Sequence, residues 1–361
     1  MHNSSPPPPP PPPPPSHVLV IHGGAGNVAD PVQLHLYRSS LSGYHVLHAG
    51  GEAMDAVVAA VASLEDNPLF NSGKGAVFNV DGKNELEASI MLSKPPASHP
   101  TIPPTRRGLG VTLLTRARNP SHLVRDLYLS PSSVPHTFVS GANAESIGAS
   151  LGSQLVDPSY FFTEHRWREH RRGLGLPEDP LPQQSNNPEP ASIPSTDHFP
   201  TGTVGAIALD VRGCIAVLTS TGGKTNKLVG RIGDTPSMGS GYWAEEWKTQ
   251  GIQGLWAKIF AFGRPEPSAI GVSGTGDGDY FIRFATAADI AHRVKYLHEP
   301  LMTAAEHAIE VLRQNGGIGG VIALDNLGNV AMPLNSSGMY RGVIREDGVP
   351  KTAIFADDVL E

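Results

Sequence analysis

The chain has 361 residues, 39% hydrophobic and 17% charged, with a formal net charge of −7. That balance fits a soluble globular protein with disordered insertions, and without a basic stripe it excludes the electrostatic footprint of a nucleic-acid binder. The lone cysteine, Cys214, excludes an intramolecular disulfide framework and a cysteine-rich metal site; no apolar run reaches the ~18 residues of a membrane span and no apolar leader is seen, so the expectation is a reducing, cytoplasmic setting.

Pro6 to Pro15 is an unbroken proline run. It lacks amide donors, adopts polyproline II and cannot join a sheet, so residues 1–16 read as a disordered tail, either merely solvated or a ligand for a proline-binding module. From His17 to the end the chain reads as a single domain. Val18-Leu19-Val20-Ile21 is a short apolar run stopped by His22-Gly23-Gly24-Ala25-Gly26, which predicts a buried strand and a tight turn. Pro31 to Leu47 has loosely helical spacing, and the Ala/Val-rich Glu52 to Leu64 predicts a helix packed closely on a sheet. After a loop at Pro68 to Gly75, Ala76 to Val80 and Glu85 to Leu92 predict two strands around an Asp81-Gly82 hairpin turn. Leu109 to Thr115 predicts another strand, with helices near Ser121 to Tyr128 and Ala142 to Leu151.

From about Arg171 to Pro200 the chain turns rich in Pro, Ser, Asn and Gln and loses apolar periodicity, which predicts a disordered loop over about 171–202. Beyond it, Val204 to Leu209 and Ile215 to Ser220 predict paired strands. Gly205-Ala206-Ile207-Ala208-Leu209-Asp210 is echoed by Gly320-Val321-Ile322-Ala323-Leu324-Asp325, as two equivalent hairpins would be. Tyr280 to Asn315 is mostly helical, with a break near Pro300.

Several motifs invite chemistry and fail. HGGAG with Gly148-Ala149-Ser150-Leu151-Gly152 suggests a serine hydrolase, but the elbow needs a strand before its serine and a helical pattern stands there. Ser72-Gly73-Lys74-Gly75 lacks the upstream glycine and following Ser/Thr of a phosphate loop, and Gly274-Thr275-Gly276-Asp277-Gly278 does not match G-x-G-x-x-G. The fifteen histidines form no H-x-x-x-H pair suggesting zinc.

Thr203 is the residue of interest. A threonine hydroxyl becomes a useful nucleophile when a base is adjacent, and its own α-amine serves once the preceding bond is cut. Such an amine, with an ordinary pKa near ~8, is partly neutral at physiological pH. A flexible loop ending at Gly202 with Thr203 at a strand start suits self-cleavage; locally, a strand-initiating threonine accounts for the residues equally well.

The downstream sequence adds Thr219-Ser220-Thr221-Gly222-Gly223 and Gly230-Arg231-Ile232-Gly233-Asp234-Thr235-Pro236. With HGGAG, GYHVLHAGGEAMDAVVAAVASLEDNPLFNSGKGAVF, GTVGAIALD and NSSGMYRG, these residues resemble the plant-type L-asparaginase and isoaspartyl peptidase family of N-terminal nucleophile hydrolases, from His17 to about Asp357 and excluding the loop. The resemblance implies an α+β fold, a four-layer αββα sandwich, cut between Gly202 and Thr203 into an α subunit (1–202) and a β subunit (203–361). It implies a nucleophile at Thr203 tuned by Thr221, with Asn71 nearby, and an oxyanion hole from the Ser273 hydroxyl and Gly274 amide. Arg231 would clamp a substrate α-carboxylate, for which a planar fork is suited; Asp234 and the Gly276 carbonyl would take the α-ammonium. A sodium ion would sit on backbone carbonyls of Leu64, Glu65, Asn67, Phe70, Ser72 and Lys74, with no organic cofactor. The implied activity is hydrolysis of L-asparagine and β-aspartyl dipeptides by a homodimer of αβ units. The rivals are a threonine aspartase-like protease, a glycosylasparaginase-like hydrolase, and a catalytically idle scaffold using the proline tail. Departures from the family pattern are Ser273 in place of Thr, Glu87 where Asp is common, the Gly241-Tyr242-Trp243-Ala244 segment and the Asp277-Gly278-Asp279 loop.

Overall fold

Runs of Val, Ile, Leu and Ala too apolar for a half-exposed strand become strands buried on both faces. The computed structural model describes residues 17–26, 33–178, 181, 202–248, 268–358 and 360. The proline tail, the start of the 31–47 helical stretch and most of the expected 171–202 loop lie outside them. One sheet has eight strands, in the order β12 (Lys351–Ala353), β11 (Gly338–Ile344), β1 (Val18–Gly26), β5 (Val204–Leu209), β6 (Ile215–Thr221), β2 (Leu86–Leu92), β3 (Gly108–Leu114) and β4 (Phe138–Ser140). The other runs β10 (Val330–Ala331), β9 (Gly319–Asp325), β8 (Ser268–Gly276) and β7 (Tyr242–Trp247). Every pairing is antiparallel except that of β3 with β4. The fold is thus mixed α+β, as expected.

Period-two alternation sends each strand's side chains into different cores. Leu19 and Ile21 of β1, with Val204, Ala206 and Ala208 of β5, join a cluster with α1 (Gln33–His48), α2 (Ala53–Glu65) and α3 (Pro120–Tyr128). Their neighbours Val18, Val20, Ile207 and Leu209 join a second cluster with Tyr242, Ala244, Ile322 and Leu324 of the smaller sheet. Ile270, Val272, Val321 and Ala323 join a third, with Phe281 of α6 (Gly278–Phe284), α7 (Thr286–Tyr296) and α8 (Leu301–Gln314). The echoed 205–210 and 320–325 segments occupy β5 and β9, one in each sheet.

Four expectations need correction. The His22–Gly26 segment is not a turn after a strand: β1 continues to Gly26, with its register against β11 shifting between His22 and Ala25. Gly24 and Gly26 take up that irregularity at φ of 109° and 135°. Ala76 to Val80 is not a strand; it makes only an isolated bridge at Asn79 to Lys227. Side chains occupy its backbone groups instead, since Asn71 Oδ1 accepts from Val77 N and Asn84 Nδ2 donates to the carbonyls of Ala76 and Val77. A helix missed in the sequence, α5 (Glu164–Gly173), carries Arg171 in its last turn, so order extends past the expected break. Its Thr163 cap accepts from Arg166 N. Finally, α6 and α7 break at Ala285, a non-glycine at φ 47°; the Pro300 break is as expected. Ser150, at the end of α4 (Gly141–Ser150), donates to Ile147 O on an exposed helix end, which removes the nucleophile elbow.

Gly271 of β8 sits where the sheets meet. A Cβ there would lie 2.6 Å from Ile215 Cγ2, 2.8 Å from Ile207 Cγ2 and 2.9 Å from Val217 Cγ2. These are branch methyls on strand residues, which cannot swing aside. Gly271→Val is expected to lose about 1–3 kcal/mol of stability through overpacking, measured as a lower urea midpoint with an unchanged slope.

Candidate active site

A pocket of about 380 Å³ opens among the ends of β1, β5, β6 and β8. Thr203, Thr221, Arg231, Asp234 and Gly276 all line it, together with Gly202, Glu87, Lys224, Asp277 and Asp279. Residues far apart in sequence and singled out for one chemistry therefore share one concave surface.

Thr203 leads into β5 and is 6% exposed. Its Oγ1 lies 3.2 Å from Thr235 Oγ1. Thr219 Oγ1 donates to the Thr235 carbonyl at 3.2 Å, so the 2.6 Å contact between Ser89 and Thr219 has Ser89 as donor. Among the described residues no carboxylate or imidazole bonds to the Thr203 hydroxyl. His22 reaches Thr203 only through its carbonyl: Nδ1 lies 2.9 Å from Thr203 O and Nε2 lies 2.7 Å from Ser273 Oγ. The carbonyl can only accept, so Nδ1 carries the proton and Nε2 accepts from the Ser273 hydroxyl. Complete burial pushes the His22 pKa down to about 3, against the Thr203 hydrogen bond that raises it, so the ring is neutral, as that tautomer requires.

Two glycines make room for this arrangement. A Cβ on Gly202 would lie 2.5 Å from Ala25 N and 2.6 Å from Thr275 Oγ1. A Cβ on Gly205 would lie 2.4 Å from both His22 Nε2 and Ser273 Oγ. The glycine before Thr203 and the one two residues after it are thus steric requirements.

The oxyanion donors expected from the resemblance are not presented to the pocket. Ser273 is fully buried and gives its proton to His22. Gly274 N donates to Gly241 O at 2.8 Å. Neither lines the pocket; in the continuous chain both donors are engaged with these partners. Asn71 also stays behind the pocket wall. Its Nδ2 donates to Gly223 O at 2.7 Å, and Gly222 N donates to its carbonyl, fixing the turn after Thr221. Thr221 Oγ1 accepts from Gly223 N within that turn.

Arg231 and Asp234 do not pair with each other. Arg231 Nη2 meets Asp279 at 3.2 Å, while Asp234 is 4% exposed and its Oδ2 has no hydrogen-bond partner among the described residues. Burial, and then the charge of Glu87, push the Asp234 pKa up to about 7; Arg231 offsets this in part. Glu87 is also raised, by burial first, with Lys227 opposing.

In the loop expected to hold sodium, carbonyls of Leu64, Asn67, Phe70 and Ser72 accept local backbone hydrogen bonds. Gly75 is packed so closely that a Cβ would lie 2.1 Å from Phe70 O and 2.4 Å from Pro68 O. The Glu65 carboxylate is turned elsewhere, accepting from Ser121 N, Ser121 Oγ and Ser220 Oγ. The Lys74 ammonium lies 5.2 Å from the Tyr160 ring centre, and the side-chain oxygens of Asn67 and Ser72 are engaged with Leu69 N and the Ser220 hydroxyl. No cluster of three His, Cys, Asp or Glu suited to a metal occurs among the described residues.

The sequence reading missed His22, Thr235 and Thr219, and named Glu87 only as a departure. A polar residue within an otherwise apolar strand run was the available signal for His22, and a hydroxyl next to Asp234 was the signal for Thr235.

The model of the family described as asparaginase matches residues 15–251 and 266–354. The chain is 35% identical to the isoaspartyl peptidase of Salmonella typhimurium, over 94% of this chain and 99% of that one. It is 35% identical to the isoaspartyl peptidase of Escherichia coli, over 94% and 96%. It is 32% identical to a probable isoaspartyl peptidase/L-asparaginase 2 of Arabidopsis thaliana, over 93% and 98%.

Because Asp234 is an acid whose folded pKa is raised, the native state holds a proton there that the unfolded chain has released. Its contribution to stability is therefore lost as pH rises from its ordinary range through about 7. Asp234→Asn is expected to unfold several degrees above wild type at about pH 8 and to converge with it near about pH 4. A difference in melting temperature that does not change with pH would refute the burial of an uncompensated charge.

Proposed function

The chain belongs to the asparaginase family, and on that premise we propose that it is a self-processing amidohydrolase acting on L-asparagine and β-aspartyl dipeptides through Thr203. The observation that carries this reading is the shared pocket of Thr203, Thr221, Arg231, Asp234 and Gly276. It joins a hydroxyl nucleophile to a cation and a carboxylate, the complement of an amino acid's carboxylate and ammonium.

Cleavage comes first. Thr203 Oγ1 attacks the Gly202 carbonyl carbon and its proton passes to the departing nitrogen, so the Gly202–Thr203 amide becomes an ester and the Thr203 α-amine is freed; water then hydrolyses the ester, releasing the Gly202 carboxylate and restoring the Thr203 hydroxyl. The lack of any imidazole or carboxylate on the Thr203 hydroxyl is why that amine matters: it is the base for turnover. In turnover, Oγ1 attacks the side-chain amide carbon of asparagine, or the isopeptide carbon of a β-aspartyl dipeptide. The amine takes the hydroxyl proton and delivers it to the leaving nitrogen. Ammonia or an amino acid departs, and water hydrolyses the β-aspartyl ester to aspartate. Arg231 binds the α-carboxylate, and Asp234 with the Gly276 carbonyl binds the α-ammonium. Thr221 borders the nucleophile, and Asn71 holds its turn. Ser273 and Gly274 serve as oxyanion donors only by exchanging their present partners, His22 and the Gly241 carbonyl, once the chain is cut.

The wider reading follows the resemblance. The three hydrophobic clusters support a four-layer αββα sandwich of the N-terminal nucleophile hydrolase type. Cleavage divides the domain into 1–202 and 203–361, assembled as a dimer of αβ units in the cytoplasm. Among the described residues no helix is long and apolar enough to cross a membrane. The backbone carbonyls of 64–74 suit a hard monovalent cation, which would stiffen that loop beneath Asn71. Pro6 to Pro15 has the composition to recruit a proline-binding module.

Thr203→Ala is expected to remain one chain on a denaturing gel and to release no ammonia from asparagine. Arg231→Ala is expected to be cut normally while KM for asparagine rises roughly tenfold to a hundredfold, the worth of a charge-assisted pair. Cleavage in the Thr203 variant, or equal loss of cleavage in the Arg231 variant, would contradict these roles.

A further inference from the structure

Glu87 stands in β2 opposite Thr221 of β6, is 1% exposed and lines the pocket beside Thr203. Its Oε1 is occupied, accepting from Gly233 N at 2.9 Å and Thr112 Oγ1 at 3.3 Å. Its Oε2 is buried and has no hydrogen-bond partner among the described residues. Asp234 Oδ2 is in the same condition. The pocket's other acids are used: Glu169 by Arg166 and Thr225, Asp277 by Ile318 N and Lys224, and Asp279 by Arg231. Neither Glu87 nor Asp234 forms an ion pair with Arg231.

A buried carboxylate oxygen without a donor is costly, and two in one pocket call for a ligand that brings several. Both carboxyl groups flank the same guanidinium. A Cβ on Gly233 would lie 3.0 Å from Glu87 Oε2 and 2.7 Å from Arg231 Nη1. A Cβ on Gly278 would lie 2.3 Å from Asp234 Oδ1 and 3.1 Å from Arg231 Nη2. The guanidinium therefore has Glu87 towards one nitrogen and Asp234 towards the other. A primary ammonium has three N–H donors, and Asp234 with the Gly276 carbonyl accounts for two.

We propose that Glu87 is a specificity-determining residue whose Oε2 accepts the third N–H of the substrate's α-ammonium. The inference rests on the amino-acid clamp assigned above. It makes the pocket selective for substrates with a free, protonated α-amine, and it assigns Glu87 a direct contact with substrate rather than a structural place behind Arg231.

The test titrates purified wild type, Glu87→Gln and Glu87→Asp calorimetrically at about pH 8 with two ligands: L-aspartate, the product, and succinate, which lacks the amine. Glutamine is isosteric and keeps the Oε1 acceptor, and succinate binding reports an intact Arg231 clamp. The expected result is a loss of roughly tenfold or more in aspartate affinity for Glu87→Gln, with succinate unchanged within about twofold. Glu87→Asp, which retains the charge, is expected to bind aspartate more tightly than Glu87→Gln does. Equal losses for both ligands, an unchanged aspartate affinity, or the reverse order of the two variants would overturn the proposal. If wild type does not prefer aspartate to succinate, the clamp itself fails; if wild type and Glu87→Gln share the same preference, only the Glu87 contact fails.

Discussion

The hydrogen bonds of His22 hold the two sheets in register at the end where the pocket opens. Its ring lies in β1 of the large sheet and bonds to Thr203, entering β5, and across to Ser273 in β8 of the small sheet. Because the Thr203 carbonyl accepts only, one tautomer satisfies both contacts, and burial keeps the ring neutral. Everything around it conforms. Gly205 has no Cβ because the His22–Ser273 bond occupies that space, and Gly202 has none because Ala25 and Thr275 do. The chain therefore passes Thr203 in a conformation fixed on both sides, with the hydroxyl left to a neighbouring threonine.

The same site departs from ordinary stability rules. Glu87 and Asp234 are held out of water, each with one oxygen lacking a donor, and the nearby arginine pairs with Asp279 instead. A core selected only for stability would neutralise such groups. Here both carboxyl groups are kept at a concave surface with their pKa values raised by burial, where in the proposed reading an incoming ammonium supplies the missing donors; destabilised polar groups at functional sites are the common exception to local consistency. The packing beneath is conventional by contrast. Alternating side chains of β1, β5, β8 and β9 fill separate hydrophobic clusters, with the buried polar groups of His22, Ser273 and Thr275 gathered at the pocket end.

Much of this was legible in the residues. Doubly buried strands announce themselves as continuous apolar runs, so β5, β6 and β9 are legible to within a residue, whereas β1 continues beyond its apolar run to Gly26. Arg231 and Asp234 are named through the family resemblance, and both line the pocket. What was not legible depended on side chains competing for backbone groups. Ala76 to Val80 has the composition of a strand, but Asn71 and Asn84 take the donors and acceptors that a ladder would use. Likewise Ser273 and Gly274 have the chemistry of oxyanion donors, yet His22 and the Gly241 carbonyl already claim them. Helix α5, with its charged residues, has too little apolar periodicity to be seen; its order comes from buried Arg166 donating to Gly75 O and buried His170 bonding to Asn226.

The central claim is that Thr203 becomes a free N-terminus. Intact-mass spectrometry of the purified wild-type chain after prolonged incubation tests it most directly. The account predicts two species that sum to the full chain plus one water, the C-terminal one starting at Thr203. A single full-length mass, or a cut at any other bond, would contradict it.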